Sequence, residues 1–248
     1  MYNYKYFRDS IPEWKRKKDP LIARFFYRPI SFGISAICAN FGINANAVSY
    51  FSAIIGLISC LFIAMHNNVV NIVGAILINI WLILDCVDGN LARSVKKMPF
   101  GEFADGVSSY LLVAFLGIAI GINAYYNGGL FISKFNALCV ICGALVSIFD
   151  SVTRLVFQKY KVEELKICSY SANKKVEETS KKRTSLVERI QEAMGIGGWL
   201  PTFILVGIIF HFMDLVLIYC FIFYGAFFVL GNIRTIIHVI KETNAQMN

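Results

Sequence analysis

Three aspartates, Asp85, Asp88 and Asp105, lie between long apolar runs, in the stretches DCVDGNLAR (85–93) and GEFADGVSS (101–109). Carboxylates are expensive in such surroundings and mark a functional site by default. On a helix, Asp85, Asp88, Gly89 and Ala92 share one face, spaced i, i+3, i+4 and i+7. Gly101, Asp105 and Ser109 form a second stripe at i, i+4 and i+8, with Glu102 close to it. Two antiparallel helices joined by a short connection bring these faces together, so that three carboxylates converge. A bare cluster of this kind repels itself, and a divalent cation removes the repulsion. Oxygen-only ligation suits Mg²⁺ or Mn²⁺, which commonly keep positions open for substrate phosphate. Small residues at Gly89, Ala92 and Gly101 let a bulky ligand approach the backbone, and Arg93 supplies a phosphate partner. Helix-end acids paired with Arg93, Lys96 and Lys97 are the plainer alternative. That alternative leaves the small residues on the same face unexplained.

The elements that must hold these groups are legible in the composition. Of 248 residues, 57% are hydrophobic and only 16% charged, against about a quarter charged in a soluble domain. The expected fold class is therefore all-α, a polytopic membrane protein. Six runs are long enough to span: about 47–66, 69–93, 101–123, 135–158, 197–213 and 216–240, the last two separated by a short turn near HFMDL. In this arrangement 23 of the 24 Lys and Arg fall on one side, and only Lys134 on the other. The positive-inside rule puts both termini in the cytoplasm and the three aspartates near the cytoplasmic ends of the second and third spans. The net charge of +8 then reflects topology and attraction to anionic headgroups, and no nucleic-acid partner is expected. The first 28 residues, with eight Lys or Arg, do not read as a cleavable leader.

Residues 19–43 mix Arg24 and Arg28 with apolar residues around Pro29, which suits an interfacial helix lying along the membrane. The expected organisation is a cytoplasmic N-terminal segment with that helix (1–43), a six-helix catalytic domain (44–241) and a short tail (242–248). Residues 159–195 form a cytoplasmic connection between helices four and five. There Ser185-x-x-Glu188 reads as a capping box, and the lysine-rich NKKVEETSKKR (173–183) as a solvated loop. The seven cysteines, CVIC at 139–142 included, read as small apolar fillers.

Asp85-x2-Asp88-Gly89-x2-Ala92-Arg93-x7-Gly101-x3-Asp105-x3-Ser109 resembles the signature of the CDP-alcohol phosphotransferase family, D-x2-D-G-x2-A-R-x7/8-G-x3-D-x3-D, at seven of its eight fixed positions. INANAVS (43–49) is similar to the family's T-P-N-x-x-[ST] start, with Ala45 where proline is usual. The resemblance implies a transferase that displaces CMP from a CDP-linked donor and joins the phosphoalcohol to an acceptor hydroxyl. It further implies two metal ions held by Asp85, Asp88 and Asp105, with Asn46, Gly89, Ala92, Arg93 and Gly101 around the nucleotide. Dimers are common in the family. The acceptor expected is a lipid or lipid-linked surface glycan in a prokaryotic inner membrane, and CDP-linked phosphonates are a related donor class.

The family's fourth aspartate, which ligates metal and takes the acceptor proton, is Ser109 here. A serine hydroxyl cannot act as that base near neutral pH. Glu102, Asp150 or the substrate's own phosphate are the candidate replacements, or the acceptor is acidic enough to need none. A general base contributes only about 10²–10⁴-fold, so its loss does not end phosphoryl transfer. The alternative is a catalytically inactive homologue that binds CDP and metal. Asp150 and Arg154, spaced i, i+4, form either a helix salt bridge or a site for donor or acceptor phosphate at Arg154. Arg234 invites the same two readings. A cation transporter would place its acids near the bilayer midplane rather than near one surface.

Overall fold

The computed structural model describes residues 1–170 and 186–247, and among them every regular element is helical. Ser185 and the lysine-rich stretch 173–183 lie outside the described residues. Among the described residues five helices are long and apolar enough to cross a membrane, the mark of an integral membrane protein. They are α4 (Ala45–Ile63), α5 (Asn68–Ser94), α6 (Gly101–Asn127), α7 (Leu138–Tyr170) and α10 (Met213–Met247). Before them come α1 (Tyr4–Ser10), α2 (Glu13–Lys18) and α3 (Arg28–Asn40), and between α7 and α10 lie α8 (Leu186–Met194) and α9 (Leu200–Ile209).

The fifth expected span, 197–213, is where sequence and structure differ. Its helix, α9, has 10 residues, about 15 Å, or half of a hydrocarbon core about 30 Å thick. Gly195 to Trp199 form a bend and turn before it. Its end is set at His211, held left-handed at φ 56°. This end falls at the turn expected near HFMDL, whereas the bend at 195–199 lies in an apolar run where hydropathy marks no break.

Local chemistry sets the other boundaries. Asn44 caps α4 by accepting the Ala47 N–H at 2.9 Å, and Asn67 caps α5 through Val69 and Val70. In the N-terminal segment a π-helical turn (Ala23–Tyr27) runs into α3, which carries Pro29 in its first turn. Proline lacks an N–H, and the wider turn absorbs the missing bond. One side of α3 buries Arg28, Ser31, Phe32, Ser35 and Ala36, while Ile30 and Ile37 are exposed. The Tyr6 hydroxyl donates to the Ser94 carbonyl at 2.6 Å and Ser10 meets Ser94 at 2.8 Å, which ties α1 to the end of α5.

Helices α4, α5 and α6 form the centre, and two asparagines close one end of it. Asn71 and Asn123 both donate to the Ile63 carbonyl, at 2.7 and 2.8 Å. At the same end Asp214, fully buried, accepts the N–H groups of Phe131 and Ile132 at 2.7 and 3.1 Å. The start of α10 is thereby fixed to the α6–α7 connection. Small residues set the α6–α7 crossing: a Cβ on Gly143 would lie 2.8 Å from the Gly121 Cα, and one on Gly117 would lie 2.7 Å from Ser147 Oγ. Gly143→Ala is therefore expected to cost about 1–3 kcal/mol through overpacking, measured as a lower denaturation midpoint in detergent.

Candidate functional site

At the other end of the bundle, α5 delivers Asp85 and Asp88 and α6 delivers Asp105. Single carboxylate oxygens of the three lie within 4.8 Å of one another. Asp88 is buried, Asp85 half-buried and Asp105 exposed, so the cluster opens outward from a sheltered base. The connection between the helices turns back at Phe100, which is left-handed at φ 57°. Asn46 of α4 holds it, donating from Nδ2 to the Pro99 carbonyl at 2.9 Å.

Asp88 does not orient itself. The Ser49 hydroxyl donates to its Oδ2 at 2.7 Å. A turn further along α4, Ser52 meets Ser108 of α6 at 2.7 Å, and the Trp81 indole N–H donates to the same Ser108 oxygen at 2.9 Å. Three helices are thus cross-bonded next to the carboxylates. Ser49→Ala, which frees Asp88 to rotate, is expected to weaken Mg²⁺ or Mn²⁺ affinity about 10–100-fold, read by isothermal titration calorimetry.

Arg93 lies across Gly89. A Cβ there would sit 2.9 and 3.0 Å from its two terminal nitrogens, so the small residue seats the guanidinium. Arg93 also approaches Asn90 Oδ1 at 3.4 Å. Ala92 packs against the core, and Gly101 faces the Asn46 side chain. The Asn46 Oδ1 is a buried acceptor without a hydrogen-bond partner. An orphaned acceptor beside a carboxylate cluster is what a bound ion or a ligand donor would satisfy. Three oxygen donors at this separation, with one sheltered and oriented by a serine, suit a hard divalent cation.

The remaining expected residues are placed differently. Ser109 is half-buried and its hydroxyl donates back to the Gly106 carbonyl at 3.1 Å. Glu102 stands exposed in the first turn of α6. Asp150 is outside the cluster: it is 8% exposed and held by Arg154 at 3.0 Å. It lines a small void with Tyr224, Cys220 and Leu200. Arg154 lies 5.8 Å from the centre of the Tyr110 ring, and its charge bears on Asp105. Ser49, Asn90, Trp81 and Ser108 carried no signal by themselves, since their roles depend on partners 27 to 62 residues away.

Compared with known proteins, the chain finds no match among curated sequences. A family sequence model does match, over residues 43–240, which include every helix that supplies the carboxylates and the residues bonded to them just described. With the aspartate cluster standing where two of those helices meet, the chain belongs to the CDP-alcohol phosphatidyltransferase family, a family of transferases.

Proposed function

We propose that the chain transfers a phosphoalcohol, or a phosphono-alcohol, from a CDP-linked donor to a hydroxyl of a lipid or lipid-linked surface glycan, releasing CMP. The observation that carries this reading is the convergence of Asp85, Asp88 and Asp105 within 4.8 Å. These residues would hold Mg²⁺ or Mn²⁺, two ions by family likeness. When bound, the metal neutralises the diphosphate and stabilises the departing CMP. The chain's own groups do the rest. Ser49 fixes Asp88, Asn46 offers its orphaned carbonyl to the donor, and Arg93 and Arg154 supply phosphate contacts from α5 and α7.

The Ser109 hydroxyl points into its own helix, so the proton acceptor is assigned to Glu102, one turn before Asp105. Asp150 is already engaged with Arg154. The same Ser109 geometry favours the second reading, a homologue that binds CDP and metal without turnover. CMP release in nanodiscs, with Mg²⁺ or Mn²⁺ and a panel of CDP-alcohols and membrane lipids, separates the two. Release with Glu102→Gln down about 10²-fold and Ser109→Ala within about threefold of wild type supports transfer through Glu102. Tight metal-dependent CDP binding without release supports the second reading. Absence of metal-dependent CDP binding removes both.

In the membrane, both termini and the aspartates face the cytoplasm of a prokaryotic cell, and α3 lies along that surface. Helix α7 ends on the aspartate side, whereas α10 begins at the opposite end, beside Phe131. A crossing between them would be supplied by the apolar stretch that contains α9, with the charged α8 (Glu188, Arg189, Glu192) left in the cytoplasmic connection. A homodimer follows from family likeness.

A further inference from the structure

Away from the carboxylates, the N-terminal helices enclose a cavity of about 350 Å³ walled by Arg8, Arg16, Arg24 and Arg28, with Glu13 and Asp19 the acids in its lining. All of these precede residue 43, where the family match begins. The arginines form a ladder. Arg16 Nη2 donates to the Arg8 carbonyl at 2.6 Å, and Arg24 Nη2 donates to the Arg16 carbonyl. Each thereby fixes one nitrogen of a guanidinium that has five N–H donors, and the others remain for a ligand. At the base, Arg28 is bidentate on Asp19, at 2.9 and 3.2 Å, and reaches Asn90 Oδ1 at 3.1 Å. Its side chain is 8% exposed, so this end of the cavity is built rather than incidental.

Four guanidinium groups face Glu13 and Asp19 in the lining; Asp9 pairs with Arg8 at 2.9 Å and Lys15 with Asp19 at 3.1 Å, and the balance around this small volume stays positive. Ordered guanidinium forks match phosphate oxygens in charge and geometry. The same segment exposes Trp14, Leu21, Phe25 and Phe26 at 63, 62, 75 and 54%. A cationic cavity beside exposed aromatic and apolar side chains is the chemistry of an anionic headgroup at a membrane surface.

We propose that this cavity is a phosphate-recognition site, separate from the aspartate cluster, for a phosphate carried by a lipid headgroup or by a soluble phosphoalcohol. Through Asn90, whose Oδ1 faces both Arg28 and Arg93, its base adjoins the helix that carries Asp85 and Asp88. Binding there needs no metal and no turnover.

The test uses the full-length protein in EDTA, so that no metal can recruit phosphate to the aspartates. Glycerol 3-phosphate and inorganic phosphate are titrated in detergent. Retention of phosphatidylglycerol over phosphatidylcholine is read by native mass spectrometry. The expected result is saturable binding or selective retention of at least one probe, weakened about tenfold or more in Arg16→Gln/Arg24→Gln and unchanged in Asp88→Asn. Arg8→Gln, at a half-exposed side chain, should weaken it about fivefold and serves if the double variant does not fold. Retained phosphatidylglycerol that resists excess phosphate assigns the headgroup, while binding of the soluble probes alone assigns the phosphoalcohol. Both support the proposal. Equal binding in wild type and the arginine variants, loss in Asp88→Asn, or no selective binding of any probe overturns it.

Discussion

Asp88→Asn is expected to lower CMP release by about 10³-fold while leaving the helix bundle intact. The asparagine is nearly isosteric and still accepts from Ser49, so the fold keeps its buried hydrogen bond. What disappears is one negative charge from the sheltered base of the cluster, where Asp88 is 6% exposed. Loss of about 4 kcal/mol of charge stabilisation in the transition state corresponds to that factor. Metal titration should show a parallel loss of affinity, with gel filtration and circular dichroism unchanged. A variant that keeps metal affinity and turnover within tenfold of wild type would remove Asp88 from the site.

The second large effect is on stability and comes from the N-terminal segment. Arg28 and Asp19 are 8 and 7% exposed at their side chains and joined at 2.9 Å. Removing one partner of a buried pair leaves the other charge uncompensated, at about 3–5 kcal/mol. Lys15, 3.1 Å from Asp19, softens this, so Arg28→Met is expected near the lower end of that range. The effect depends on pH with a definite sign. Burial alone would raise the Asp19 carboxyl, but the hydrogen bonds and charge of Arg28, helped by Lys15, outweigh it and hold it below its ordinary value. Its contribution is therefore complete above the unfolded carboxyl value of about 4. It is lost as pH falls through the lower, folded value. In Arg28→Met the stranded carboxyl takes up a proton more readily, so the gap between wild type and variant should narrow on acidification. Denaturation midpoints at pH 7 and about pH 4 measure this, and a gap that widens in acid would contradict the assignment.

The aspartate cluster was legible because its geometry is local. Asp85 and Asp88 are one helical turn apart, and the short connection through Phe100 leaves α6 little choice but to fold back along α5. Charge asymmetry and run length likewise announce the long helices. What the sequence hides are contacts between distant residues of ordinary type. Ser49 looks like any small residue of an apolar helix until Asp88 is found beside it. Asn90 sits at a variable position of the motif, yet it donates to Ser31 and Ser35 and accepts from Arg28. Asp150 is legible for the same local reason as the cluster: its i, i+4 spacing to Arg154 offered a helix salt bridge, and the pair is joined at 3.0 Å. The bend that shortens the fifth expected span was invisible for a different reason, because hydropathy averages over residues 195–199 and does not register where a backbone turns.

Phe100 holds its left-handed conformation at a cost. An L-residue in the left-handed region costs about 1–2 kcal/mol, and glycine would remove most of that. The ring makes no cap for α6 and is 80% exposed, with Phe103 beside it at 62%. An exposed ring of this kind is free to meet a surface outside the protein. At a headgroup boundary, aromatic rings are where a polypeptide fastens itself to a bilayer. The bend between α5 and α6 would then exchange conformational ease for adhesion. On that reading, the rim of the aspartate site would be moored to the bilayer surface.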